Sequence, residues 1–292
     1  MRRSDRLPPP ISEVLRVAGL AFAAAVLLGA PSARAAGVPF LPHQASYNLS
    51  LLKSRGGATA VDSARGRILY KFTGSACEGY TSEFRQVSEL NGSEGKSTLS
   101  DLRSTSWEDA EGKTFRFRID TRMNEGDTSN VDGIAERTGD RVTVKLKQPV
   151  AKIFTLDGNT VFPTEQVRRI IAAAREGKSL LELTVYDDSD NGEKVYNTLT
   201  VIGKPITGDA ATAPDPSTAS AAMKAITRWP VTVSYYDRDA KSNSGEQTPT
   251  YAMSFELFEN GVSRALKLDY NDFVIAGALD NFEIKPSKPC KK

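Results

Sequence analysis

The sequence predicts a mainly β protein of antiparallel strands carrying few helices. Three observations carry that prediction. Apolar and polar residues alternate with period two through most of the chain, Asn-Gly pairs punctuate strand-like runs, and a single stretch switches to helical spacing.

The alternation begins in "ASYNLSLL", where Tyr47, Leu49 and Leu51 share a face. In "KTFRFRIDTR" Phe115, Phe117 and Ile119 occupy one side of a strand, and Arg116, Arg118 and Asp120 the other. "RVTVKLK" repeats the pattern with Val142, Val144 and Leu146. Half-buried antiparallel strands have this signature, since successive side chains point to opposite faces and one face meets water. "FPTEQVRRIIAAAREGKS" then changes period. Pro163 stands at a helix start, Val167, Ile170, Ile171 and Ala174 form an apolar stripe, and Gly177 sits where the helix should end, predicting a helix near 163–176 docked on the sheet. Tight hairpins are expected around Asn191-Gly192 in "LELTVYDDSDNGEKVYNTLTVIG" and around Asn260-Gly261 in "FELFENGVSRALKL". Between them "TGDAATAPDPSTASAA", from Thr207 to Ala222, has no period and reads as a flexible surface loop inside one domain. "YAMSFELF" returns to alternation through Tyr251, Met253, Phe255 and Leu257.

The first 35 residues are read apart from the fold. Arg2, Arg3 and Arg6 precede the apolar stretch Val17–Ala30, and Ala33-Arg34-Ala35 supplies the small-x-small pattern of a secretory signal, with the cut expected between Ala35 and Ala36. The stretch is well short of the ~20 residues that cross a bilayer. An exported, periplasmic location follows as the expectation, with residues 36–292 forming one β-rich domain and no membrane span left after cleavage. Of the 38 basic residues the leader holds five, and of the 36 acidic ones two, so the small positive excess leaves with it and nothing suggests a nucleic-acid partner. Two cysteines in an oxidising compartment are most simply a disulfide, Cys77 to Cys290, which would tie down a tail that otherwise frays; separately reactive thiols are the alternative.

Chemistry is sparse. His43 is the single histidine, which removes two-histidine zinc sites and leaves it as a structural residue at the first strand. "GKS" at 177–179 resembles a phosphate loop but follows a helix and lacks the first glycine. Asp187, Ser189, Asn191 and Gly192 resemble a calcium loop, with Thr198 where the bidentate glutamate belongs. Glu108-Asp109-Ala110-Glu111 reads as a polar turn of solvated charges. No catalytic residues, metal site or cofactor are assigned, and an enzyme is not expected.

The strings "LPHQASYNLSL", "YDDSDNGEKVYNTLTVIGKP", "RWPVTVSYYD" and "LDYNDFVIAGALDNFEI", in that order and with the helix before the second, resemble the EipB family of periplasmic cell envelope integrity proteins. Asp188 departs from the glycine expected in that motif. The resemblance implies a monomer folded as a single long antiparallel sheet curled into an open spiral or bowl-like half barrel, similar to the lipoprotein carriers LolA and LolB. It also implies one disulfide at the positions of Cys77 and Cys290, and a role in the envelope without an assigned reaction. A lipid or lipoprotein acyl group on the concave face is the expected ligand. A scaffold contacting other envelope proteins is the alternative.

Overall fold

The structure is a computed structural model that describes residues 40–56, 61–92, 95–124, 126–208, 214–240, 247–287 and 290. The leader and its Ala35–Ala36 cut lie outside the described residues. Ala36–Lys292 forms one compact unit.

Eight strands come first: β1 (His43–Ser54), β2 (Val61–Ser75), β3 (Gly79–Gly92), β4 (Ser97–Glu108), β5 (Thr114–Met123), β6 (Asp127–Thr138), β7 (Arg141–Gln148) and β8 (Lys152–Asp157). Helix α1 (Pro163–Arg175) follows, then β9 (Leu180–Val185), β10 (Tyr196–Ile202) and the short α2 (Pro216–Ala219). The chain ends with β11 (Arg228–Asp237), β12 (Tyr251–Phe258), β13 (Ser263–Asp269) and β14 (Phe273–Ile284). All fourteen strands join one antiparallel sheet in the order β8-β7-β6-β5-β4-β3-β2-β1-β14-β13-β12-β11-β10-β9. Every neighbouring pair is consecutive in sequence except β1 with β14, which pair from His43 opposite Ile284 to Ser54 opposite Phe273. The chain's two ends therefore meet in the middle of the sheet. Its outer edges, β8 and β9, flank α1, and the sheet does not close; a lone parallel bridge links Val161 to Val185.

The sheet curls, because inner-face residues of distant strands share one core. Phe72 and Tyr80 from β2 and β3 cluster with Trp229, Val231 and Val233 of β11, with Ile170 and Ile171 of α1 between them. The alternation follows the predicted faces: Tyr47, Leu49, Phe115, Phe117, Val142, Val144 and Leu146 are all buried. Helix α1 ends as expected, with Gly177 at φ +73° and the carbonyls of Ala173 and Ala174 accepting from Lys178 and Gly177.

Several local expectations are corrected. Asn191-Gly192 is not a two-residue turn but lies in a ten-residue connection, 186–195, whose Asp188, Asp190 and Gly192 take positive φ. At the other hairpin Gly261 alone has positive φ (+87°), its N–H donates to Phe258 and Val262 accepts from Phe258. That is a three-residue loop with a left-handed glycine, not a type I′ turn. The segment read as a flexible loop is anchored where it is described. Asp215 caps α2, accepting from Ser217 and Thr218, Ser217 is buried, and so is Met223 just beyond the segment. The hydroxyl of Thr198 donates within the sheet to Leu183, so the twelfth position of the calcium-loop reading is a strand residue. Cys77, in the β2–β3 turn, and Cys290, beyond β14, are joined in a disulfide with Cα atoms 5.7 Å apart.

Candidate functional site

The inner face of the curled sheet is the candidate site, and α1 shapes it. The helix begins at Phe162, whose side chain is buried and makes no capping bond, so two backbone N–H groups there need an outside acceptor. Glu108 at the end of β4 supplies it. One carboxyl oxygen accepts from Thr164 at 2.7 Å and the other from Glu165 at 2.9 Å. The polar turn of solvated charges inferred from Glu108-Asp109-Ala110-Glu111 is therefore wrong at its first member, which is only 2 % exposed. Period two continues through Leu102, Ser104 and Ser106 to Glu108, but three of these four residues are polar, so no apolar stripe reveals the strand. Arg137 of β6 completes the anchor. Its guanidinium donates to the carbonyls of Gly112, Gly158 and Thr160, pairs with Glu165 at 3.3 Å and lies over the ring of Phe162.

Burial outweighs these N–H donors and raises the Glu108 carboxyl from an ordinary 4.5 to about 7. A raised folded-state value means the stability linked to this group is complete below pH 4.5 and lost as pH climbs to about 7. The shift corresponds to about 3 kcal/mol. Glu108→Gln keeps one acceptor and removes the charge, so it is expected to flatten this slope. Urea titrations at about pH 5 and about pH 8 should show the variant losing less stability than the wild type between them; equal losses would refute the assignment.

Between α1 and the sheet lies a pocket of about 120 Å³. Phe40, Tyr70, Phe72, Pro163 and Val167 give it apolar walls, and Ser82, Ser106, Thr164 and Asn260 add polar atoms. Ser82 and Ser106 stand directly opposite each other on β3 and β4. These two small side chains leave space where the neighbouring inner positions carry Phe84 and Phe117. Further along the inner face, Phe84, Leu266, Leu268, Met253 and Phe255 remain half-buried around the core clusters. His43 opens β1 with its ring buried among Tyr70, Phe72 and Phe282, and Nδ1 is 2.7 Å from the carbonyl of Leu41. Burial lowers its pKa from 6.5. The wall is thus apolar with a few hydroxyls, suited to seating a hydrocarbon chain end.

In the β9–β10 connection Asp188 is buried as well and Asp187 half-buried, and desolvation raises both carboxyls. Among the described residues no group of three or more His, Cys, Asp or Glu side chains could hold a metal ion. No described helix is long and apolar enough to cross a membrane.

Comparison with known proteins gives consistent results. The family model described as EipB-like matches residues 34–286. The cell envelope integrity protein EipB of Brucella abortus (strain 2308) is 34% identical over 275 residues, spanning 92% of this chain and 95% of that protein. The crystal structure of a β-barrel-like protein of domain of unknown function DUF1849, also from Brucella abortus, superposes with a TM-score of 0.76 at 32% identity, covering 85% of this chain and all of that one.

Proposed function

Because the chain belongs to the EipB-like family, whose relative in Brucella abortus is a cell envelope integrity protein, we propose that it maintains the cell envelope as a periplasmic, monomeric binding protein without catalytic machinery. Its ligand in this reading is an apolar envelope component, a lipid or lipoprotein acyl group, held on the concave face of the sheet. The observation that carries the reading is the pocket between α1 and β2–β4, walled by Phe40, Tyr70, Phe72, Pro163 and Val167. Its volume of 120 Å³ is below the ~300–1,000 Å³ of whole small-molecule sites. It therefore takes the end of a chain, and the remainder runs along the half-buried inner wall. Apolar contact supplies roughly 0.8 kcal/mol per buried methylene, enough for a short segment to give measurable affinity.

Ser106→Phe fills the pocket from a position already on the inner face. With delipidated protein, a fluorescent fatty acid is expected to bind the wild type saturably and the variant at least tenfold more weakly, with unchanged far-UV circular dichroism. Absence of saturable uptake by the wild type would overturn the reading and favour a scaffold working through surface contacts.

A further inference from the structure

The outer face of β4 and β5 carries more guanidinium than its carboxylates can use. Asp101 is shared by Arg85 at 2.9 Å and Arg103 at 3.0 Å, which together hold its carboxyl down at about 2. Arg118 takes Asp120 at 3.2 Å. Arg116 lies over the ring of Trp107, 5.4 Å from its centroid, and Arg122 makes no ion pair among the described residues. Four arginines of β4 and β5, joined by Arg85 of β3, thus share Asp101 and Asp120, with Asp132 of β6 opposite Arg118, on a chain whose mature charge is close to balanced.

Their arrangement is directional. Arg116, Arg118 and Arg122 lie on one side of the same strand, which rises about 3.3 Å per residue, so the stripe runs for roughly 20 Å along β5. Arg103, Arg118 and Arg122 border a depression of about 400 Å³ together with Thr128, Asn130 and the already paired Asp101 and Asp120. At the Arg122 end one large apolar side chain of the same face stands in solvent, Leu99 at 49% exposure, its backbone N–H donating to the Asn124 side chain.

We propose that this stripe docks the protein on the surface of a bilayer rich in anionic phospholipid, the guanidiniums engaging phosphates bidentately and Leu99 entering the headgroup layer. The proposal rests on the outer face alone and stands whether or not the concave pocket holds a ligand. Each cation near an anionic surface contributes roughly tenfold or somewhat less to binding.

Vesicle co-sedimentation tests it. Wild-type mature protein should pellet with vesicles of equal parts phosphatidylethanolamine and phosphatidylglycerol at low salt, and be released by high salt. It should stay in solution with phosphatidylcholine vesicles. The triple variant Arg116→Glu, Arg118→Glu, Arg122→Glu, altered only at exposed positions and checked by circular dichroism, should bind at least a hundredfold more weakly. A second triple variant, Lys145→Glu, Lys147→Glu, Lys152→Glu, changes another exposed basic region and should retain binding. Inorganic phosphate should fail to displace the protein at concentrations where sodium chloride of equal ionic strength also fails, which separates a lipid surface from a free-anion site. Equal pelleting with phosphatidylcholine, undiminished binding by the arginine variant, equal loss in the lysine variant, or selective displacement by phosphate would each overturn the proposal.

Discussion

Replacing Cys290 with serine is expected to lower stability by about 2–5 kcal/mol, a fall of roughly 10 °C in thermal midpoint for a domain of this size. The bond closes a loop spanning 213 residues, nearly the whole folded unit, so in the chain-entropy view it restricts the unfolded chain strongly. Its location adds a local effect. The strand β14 ends at Ile284 and the last described backbone tie of the tail is Lys285 donating to Pro42, so beyond that point Cys290 is the anchor. Cys77, in the β2–β3 turn, places that anchor past β1 on the neighbouring hairpin, clamping the β1–β14 seam. Calorimetry of the wild type, of wild type under reductant, and of the Cys77→Ser, Cys290→Ser double variant should give two matching low midpoints and one high one. A reduced wild type that melts with the oxidised form would show that the bond contributes no stability.

Arg264→Ala is expected to cost about 3–5 kcal/mol, the range for breaking a buried ion pair from one side. The guanidinium side chain is 3% exposed, donates to Glu256 at 2.7 Å and pairs with Asp215. Glu256 also receives Arg228 at 2.8 Å, itself buried. Truncating Arg264 removes a partner from both carboxylates while they remain under the α2 segment, and it loosens the Asp215 cap. The position follows from a bulge. Ala265 takes φ +52°, and the β12–β13 register slips so that Arg264 stands opposite Glu256, on the face away from Leu266 and Leu268. Arg264→Lys should recover little, since an ammonium lacks the planar fork that reaches two carboxylates at once. Urea denaturation measures both; a loss below about 1 kcal/mol for Arg264→Ala would show the network to be dispensable.

The strands most legible in the sequence are those whose inner face is uniformly apolar. Phe115, Phe117 and Ile119 announce β5 because solvent exclusion acts on every second residue, and Pro163 with Gly177 bounds α1 because those residues suit helix ends. Strand β4 is silent, since three of its four inner positions, Ser104, Ser106 and Glu108, are polar, and Glu108 finds its partners only on α1. The curl of the sheet came from family resemblance, as period two says nothing of which strands become neighbours. The site was legible as an apolar face but not as a pocket. Phe40 precedes the first strand, and the cap from Glu108 to Thr164 joins residues 56 apart in sequence. The Arg264 network was hidden because a one-residue bulge moves a side chain to the opposite face, which strict alternation cannot foresee.

The pairing of β1 with β14 bears on how the molecule is made and how it can be divided. During synthesis the amino-terminal strands emerge first, and both meanders, β1 through β8 and β9 through β14, consist of hairpins between consecutive strands that can zip as they appear. The central seam must wait for the last strand, so the edge of β1 stays unpaired until synthesis is nearly complete. The usual tolerance of protein ends is inverted here. Shaving residues from β1 or β14 opens the sheet at its centre, whereas a break in the backbone beside α1 falls at its rim. Two fragments parted there would still share the seam and the Cys77–Cys290 bond, which makes this chain a natural candidate for fragment complementation.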